Sequence, residues 1–169
     1  LFFEKFSSYG LKKSALQTCY AMAENVFAVT QSPLDETPVV DEIDRETFMT
    51  QRLATPPVAG QPSMKMTSSG HPLPNVKVRV VDEQGATVSW GTEGALQVRS
   101  AGVLKRYKNH KSAGPDADGW FSTGDFVRAY PGGLFQFSGR SRDRLKVSGF
   151  SVFPAEVETQ LDGFPGVAE

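Results

Sequence analysis

The chain has 169 residues with 18 Lys and Arg against 19 Asp and Glu, and its net charge of −1 predicts no nucleic-acid partner and no anionic-membrane binding. Hydrophobic residues make up 39% and charged residues 22%, as in a folded domain, and no apolar run approaches the roughly 20 residues of a transmembrane segment. The single cysteine, Cys19, excludes an internal disulfide and a cysteine-rich metal site. We expect it to be buried in a strand, and a cytoplasmic location is the default.

Residues 1–30 predict a helix followed by two strands. Apolar side chains recur at helical spacing over residues 1–9, and Gly10 suits the end of that helix. The segment 15–22 predicts a buried strand, and residues 25–30 (NVFAVT) predict a second one.

Residues 31–66 are rich in prolines, acids and short apolar clusters, which predicts an irregular surface excursion. Within it, Asp44 is expected to cap the N-terminus of a brief helix over residues 45–52. Beyond it, valines alternate with charged residues over 76–80, which predicts a half-buried strand, and residues 94–99 predict the next strand.

A β-hairpin is predicted from residue 126 to residue 137, with its turn at Pro131-Gly132-Gly133. Asp125 precedes the first arm and Arg140 follows the second, so antiparallel pairing brings the two side chains to the same end of the sheet. A carboxylate beside a guanidinium suits a polyhydroxylated ligand such as a ribose. A surface ion pair at the end of a hairpin explains the same two residues.

Four segments, taken together, resemble the adenylate-forming superfamily of acyl-CoA synthetases, fatty-acyl-AMP ligases, luciferases and peptide-synthetase adenylation domains. They are YAMAE at 20–24, SSGHPLPNVKVRVVDEQG at 68–85, STGD at 122–125 and GRSRDRLKVSGFSVFPAEVE at 139–158. Each segment alone is a weak signal, but their order along the chain makes the match specific.

The resemblance implies an α/β protein, of which this piece is α+β. Residues 1–140 would be the C-terminal part of the large AMP-binding domain: the end of its sheet and, over about 67–140, a small β-barrel subdomain. Residues 141–144 would form a hinge, and residues 145–169 would begin a small C-terminal α+β domain. The family's phosphate-binding loop precedes YAMAE and its adenylating lysine follows residue 169. We therefore expect an internal piece of a longer protein, inactive by itself.

The resemblance also implies a nucleotide site. Tyr20, Ala21 and Met22 would bind the adenine, with the Tyr20 ring packed against the base, and Asp125 and Arg140 would bind the ribose.

Further residues are implied for the other parts of the reaction. Glu24 would hold Mg²⁺, whereas Ala23 replaces a threonine that reaches the α-phosphate in the family. Arg142 would be the hinge residue, and Lys146 and Gly149 would act in the second half-reaction.

The implied activity is ATP-dependent activation of a carboxylic acid, such as a fatty acid, to an acyl adenylate and then to an acyl-CoA thioester. The cofactors would be ATP/AMP, Mg²⁺ and CoA. One alternative is a fatty-acyl-AMP ligase or adenylation domain that loads the phosphopantetheine of an acyl carrier protein, which the 31–66 excursion favours; the KVSGFSVFPAEVE run (146–158) slightly favours CoA. Another alternative is a non-catalytic β-rich binding module, which the retained Asp125 and Arg140 disfavour.

Overall fold

The computed structural model of the chain describes residues 2–108, 114–129, 135–147, 150–161 and 164–167. The α-helices of these ranges are α1 (Phe2–Phe6), α2 (Arg45–Gln51) and α3 (Pro154–Leu161). The strands are β1 (Cys19–Ala21), β2 (Ala28–Gln31), β3 (Val40–Asp44), β4 (Ser63–Thr67), β5 (His71–Pro72), β6 (Lys77–Val81), β7 (Glu93–Arg99), β8 (Phe121–Ala129), β9 (Phe135–Arg140), β10 (Leu145–Val147) and β11 (Phe150–Val152). This mixture of helices with several antiparallel sheets agrees with the α+β architecture expected for this piece. Among the described helices, none has the length and apolar character that a membrane crossing requires.

The N-terminal helix is confirmed, since α1 continues as a 3-10 turn and ends at Gly10 with φ of 90°. The strand predicted over 15–22 is shorter than expected, because only β1 pairs, at the edge of the sheet β1-β2-β5. The expectation that Cys19 is buried is wrong: the thiol-bearing residue lies in β1 but is exposed. Alternate residues of an edge strand face opposite sides, and here only Tyr20 faces inward.

The expectation of an irregular excursion over 31–66 is wrong. Strands β3 and β4 pair antiparallel across the whole length of both, and α2 lies between them in the sequence. The predicted N-cap is confirmed, because the Asp44 carboxylate accepts a hydrogen bond from the Thr47 backbone N–H at 2.7 Å. Phe48 of α2 and Ile43 of β3 are buried, and the Phe48 ring lies against the guanidinium of Arg128 in β8, so this segment packs against the rest of the fold.

The predicted strands over 76–80 and 94–99 are confirmed as β6 and β7, which continue into the antiparallel sheet β6-β7-β8-β9. Inward-facing residues of this sheet form the main core together with one residue of β2; they are Val29, Val80, Leu96, Val98, Val127 and Ala129. In the described ranges the sheet is open, because β6 and β9 pair with one neighbour each, and a closed β-barrel over about 67–140 is not confirmed. The predicted turn at Pro131-Gly132-Gly133 lies outside the described residues.

The segment after the sheet is packed against it through one aromatic side chain. Phe153 is 1% exposed, and its ring centroid lies 5.9 Å from that of Phe126 in β8. Gly139 of β9 lies directly beneath this ring, since a Cβ added there would come within 2.3 Å of the Phe153 Cδ1 atom. The absence of a side chain at residue 139 therefore lets β11 and α3 approach the sheet closely.

A buried charge cluster joins the same segment to Arg52, the residue directly after α2. The Arg52 Nη1 atom lies 2.6 Å from Glu156 Oε1 in α3 and 3.9 Å from Glu93 Oε2 in β7. Burial raises the pKa of Glu93 above its ordinary value, and the positive charge of Arg52 offsets only part of that effect.

We expect the stability of the protein to depend on the protonation of Glu93. Because the folded chain binds this proton more tightly than the unfolded chain, the stabilisation is fully present below the ordinary pKa of 4.5 and is lost as the pH rises through the folded-state pKa. The free energy of unfolding of the wild type, relative to that of a Glu93→Gln variant, should therefore fall as the pH rises above 4.5. Urea unfolding across this pH range measures the difference, with exposed Glu36→Gln as the control; a pH-independent difference would contradict the prediction.

Candidate functional site

Asp125 and Arg140 lie directly opposite each other in the β8–β9 ladder, as the hairpin prediction requires. The Arg140 Nε atom is 3.4 Å from Asp125 Oδ1. Asp125 is only 4% exposed, whereas the Arg140 side chain is 53% exposed. The pair thus combines a buried acceptor with a cation that a ligand can reach, which differs from a solvated surface ion pair.

The STGD segment forms an irregularity in β8 that aims the Asp125 side chain. The register between β7 and β8 shifts between Ala95 and Gln97, and Gly124 takes a φ of 79° that favours glycine. The Thr123 hydroxyl donates to the Leu96 carbonyl at 3.0 Å and accepts from the Asp125 backbone N–H at 3.1 Å. These two hydrogen bonds fix the position of the backbone at Asp125.

Tyr20 of β1 contacts the same carboxylate, although 105 residues separate the two positions. Its hydroxyl donates a hydrogen bond to Asp125 Oδ2. Burial raises the pKa of Tyr20, and the hydrogen bond to Asp125 adds to the rise, so the hydroxyl stays protonated and remains a donor. The structure therefore brings together three of the residues predicted to bind nucleotide.

The Asp125 carboxylate fits a ligand that donates hydrogen bonds. One oxygen takes the Tyr20 hydroxyl, while Oδ1 is buried and accepts no hydrogen bond within the part of the chain that the structure describes. A buried acceptor without a donor is unfavourable. The vicinal hydroxyls of a ribose would supply the donor.

Ala21 and Met22 lie next to Tyr20 but differ in their surroundings. Ala21 is exposed at the end of β1 and pairs with Ala28 of β2. Met22 is half-buried against the main core, and its N–H donates to the Phe27 carbonyl at 2.8 Å. Of these two residues, Ala21 is therefore the exposed one and Met22 the one that packs with Tyr20 against the core.

Glu24 lies in the 3-10 turn Ala23–Asn25 and is half-buried. Its Oε1 atom accepts a hydrogen bond from the Tyr107 hydroxyl at 2.6 Å, and this bond is the main reason that the pKa of Glu24 is lowered. The described residues contain no group of three or more His, Cys, Asp and Glu that could hold a metal alone. A single ionised carboxylate still fits Mg²⁺, which is usually bound by one or two carboxylates together with waters and substrate phosphates.

The described residues among those predicted for the hinge and the second half-reaction are exposed. Arg142 is exposed in the 3-10 turn Ser141–Asp143, where its Nε atom is 3.5 Å from Asp143 Oδ1. Lys146 is exposed on β10. Within the described ranges neither residue has a hydrogen bond or an ion pair with Tyr20 or Asp125, and Gly149 lies outside the described residues.

Two residues near these positions were not predicted. Tyr107 lies in a stretch for which the sequence predicted no role, and Arg144 belongs to the predicted hinge. The Arg144 Nη2 atom is 3.4 Å from Glu83 Oε1, and the Arg144 Cζ atom lies 4.6 Å from the centroid of the Phe126 ring. Neither contact has a local sequence signal, because each joins distant parts of the chain.

A cavity of about 680 Å³ lies elsewhere, between α2, β4, β9 and α3. Its walls include Phe48, Met64 and Phe137 but none of the predicted site residues. A much smaller cavity of about 10 Å³ adjoins Tyr20. The candidate site is thus identified by its unsatisfied carboxylate and its charges, not by volume.

The comparisons with known proteins cover nearly the whole chain. Over an alignment of 161 residues, the chain is 29% identical to a Mycobacterium tuberculosis protein that is named as a ligase. The alignment covers 94% of the chain and 29% of that protein. The chain is 35% identical to a fatty acid–[acyl-carrier-protein] ligase of Streptomyces coeruleorubidus over 68% of the chain and 22% of that protein. It is 41% identical to an acyl-CoA ligase of Aspergillus oryzae over 60% of the chain and 18% of that protein.

Solved structures agree with these sequence relatives. The fold matches a structure from a study of fatty acyl-adenylate ligases of E. coli and L. pneumophila with a TM-score of 0.88 and 25% identity, over 97% of the chain and 30% of that structure. No model of a known protein family matches the chain. The chain spans less than a third of the length of each of these four relatives. By sequence and by structure, the chain belongs to the adenylate-forming superfamily, which includes acyl-CoA ligases, fatty-acyl-AMP ligases and peptide-synthetase adenylation domains.

Proposed function

We propose that the full-length protein, of which this chain is one part, activates a carboxylic acid by forming an acyl adenylate from ATP. The substrate carboxylate would attack the α-phosphorus of ATP, and the bond to the leaving pyrophosphate would break. The observation that carries the proposal is the buried Asp125 carboxylate beside the exposed Arg140: Tyr20 hydrogen-bonds one oxygen, and none of the described residues donates a hydrogen bond to the other.

In this proposal Asp125 accepts hydrogen bonds from the ribose hydroxyls, and Arg140 donates to the same ligand. Tyr20, Ala21 and Met22 line the adenine. The Tyr20 hydroxyl also fixes the Asp125 carboxylate, which is a second task for that residue. Because these donors and acceptors are held in place before the ligand arrives, the polar groups of the site need to reorganise less during binding and reaction.

Glu24 would be this chain's ligand to Mg²⁺, which offsets negative charge on the phosphates. The Glu24 side chain is ionised and partly open to solvent, as such a ligand must be. It would orient the ion from the protein side while the nucleotide supplies further oxygens.

The domain division stays as predicted from the resemblance. Residues 1–140 would belong to the large AMP-binding domain, 141–144 would be the hinge around Arg142, and 145–169 would begin the small domain. Rotation about the hinge would bring Lys146 and Gly149 to the adenylate for the second half-reaction. A chain that lacks the remaining segments is expected to be inactive.

A thiol would then displace AMP from the acyl adenylate, with CoA as the first candidate and a carrier-protein phosphopantetheine as the second. The motif over 146–158 supports CoA. The 35% identity to a fatty acid–[acyl-carrier-protein] ligase over 68% of the chain supports a carrier protein. The cytoplasmic location and the absence of a nucleic-acid partner stay predictions.

The test is product analysis with the full-length protein. It is incubated with Mg-ATP and short, medium, long-chain and aromatic carboxylic acids, with and without CoA, and the products are identified by mass spectrometry. Acyl-CoA is the expected product of the first candidate. Acyl-AMP that persists with CoA would favour a carrier protein, and the absence of both products would contradict the proposed activity in favour of a binding module.

A further inference from the structure

Tyr107 is the one described residue whose side chain hydrogen-bonds the Glu24 carboxylate. Its hydroxyl donates to Oε1 at 2.6 Å, across 83 positions of sequence. The backbone N–H of Glu24 is a second hydrogen-bond donor to the same carboxylate. The Tyr107 hydroxyl therefore fixes one carboxylate oxygen from the protein side, while the half-buried Glu24 side chain stays partly open to solvent.

The backbone around Glu24 is tied to the segment that carries Tyr107. The Leu104 N–H donates to the Glu24 carbonyl at 2.7 Å. The side chains of Ser100 and Asn25 are hydrogen-bonded to each other, and the Gly102 N–H donates to the Ser100 hydroxyl at 3.0 Å. Residues 100–107 thus form a brace along one side of the 3-10 turn.

The backbone at the end of this turn adopts an unfavourable conformation. Val26, directly after it, has a φ of 68°, which is rare for a β-branched residue. Buried Asn25 stabilises this shape through a hydrogen bond from Nδ2 to the Ala28 carbonyl at 3.1 Å. Backbone strain of this kind persists only when surrounding contacts over-determine it, and it concentrates at functional sites.

We propose that Tyr107 is a positioning residue, which orients the Glu24 carboxylate for the Mg²⁺ ion that accompanies the nucleotide. The inference rests on the proposed function. A glutamate has three side-chain torsions, and a free carboxylate would lose that freedom when it binds the ion. The hydrogen bond from the Tyr107 hydroxyl restricts these torsions before the ion binds. Partners of this kind behind a metal ligand typically change metal affinity or activity by about 10- to 100-fold.

The test is Tyr107→Phe in the full-length protein, which keeps the ring and removes only the hydroxyl. The Mg²⁺ concentration for half-maximal adenylate formation should rise about 10- to 100-fold, with a smaller change in the rate at saturating Mg²⁺. Electron paramagnetic resonance of Mn²⁺ with a non-hydrolysable ATP analogue should show a matching loss of ion affinity, independently of turnover. Tyr9→Phe is the matched control, because Tyr9 is 85% exposed and has no side-chain hydrogen bond in the described structure.

Glu24→Gln separates this inference from the proposed function. If Glu24→Gln weakens the ion and Tyr107→Phe behaves like Tyr9→Phe, the positioning role is overturned and the metal role of Glu24 stands. If neither variant changes the ion requirement, the proposed metal role fails and the inference fails with it. Support requires that both single variants weaken the ion and that the double variant is no worse than Glu24→Gln, as expected when one residue acts through the other.

Discussion

Replacing Asp125 by alanine is expected to weaken the binding of ATP and AMP to the full-length protein by at least about 100-fold. Hydrogen bonds to a charged group contribute about 1.5–3 kcal/mol each, and the two ribose hydroxyls would lose both of theirs. Since about 1.4 kcal/mol is a factor of ten, the loss lies between about 100- and 10,000-fold. The Arg140 guanidinium and the Tyr20 hydroxyl would also lose their common partner. Isothermal titration with AMP measures the change.

Two further variants make this prediction specific. Asp125→Asn keeps the shape and one acceptor oxygen but removes the charge, so its affinity should lie between those of the wild type and the alanine variant. Asp118→Asn, at an exposed residue outside the site, should bind AMP like the wild type. Wild-type affinity in an Asp125→Ala protein with a native circular dichroism spectrum would rule out the ribose role.

The largest effect on stability is expected from Phe153→Ala, at about 3–5 kcal/mol. The Phe153 ring is 1% exposed, and it lies against Phe126 and the bare backbone of Gly139. Its removal leaves a cavity between the sheet and the segment that carries α3. Urea unfolding measures the free energy, and Phe164→Ala, at a residue 60% exposed, should change it by no more than about 0.5 kcal/mol.

The reciprocal change at Gly139 tests the same contact. A Cβ at residue 139 would lie 2.3 Å from Phe153 Cδ1, so Gly139→Ala should destabilise the protein by about 1–3 kcal/mol through overpacking. In the Phe153→Ala background that loss should largely disappear, because the ring that clashes is gone. Equal destabilisation by Gly139→Ala in both backgrounds would show that the two residues do not contact each other in solution.

Local patterns were sufficient where the determining contacts are local. The opposition of Asp125 and Arg140 follows from the antiparallel pairing of β8 with β9, which are adjacent in the sequence. The N-cap at Asp44 follows from an interaction with a residue three positions along. The opposition of Asp125 and Arg140 and the start of α2 could therefore be predicted from the order of residues alone.

Predictions failed where the contacting residues are distant in the sequence, and where the burial of a residue depends only on tertiary packing. The pairing of β3 with β4 was missed, because the helix and the proline-rich connection between the two strands obscure their relation. Arg128 is fully buried on an arm of the predicted hairpin, where it contacts Gln136 and lies 3.4 Å from Asp41 Oδ2. Burial lowers its pKa to about 10, and the sequence gives no sign of this.

The sequence by itself determined the family and the opposition of Asp125 and Arg140, because these depend on short motifs and on the pairing of strands adjacent in the sequence. Only the tertiary structure decided that the Tyr20 hydroxyl reaches Asp125 across 105 positions and that Tyr107 reaches Glu24 across 83. The physical reason is that such contacts depend on how whole sheets and loops pack, and residues far apart along a chain carry no local signal of their meeting.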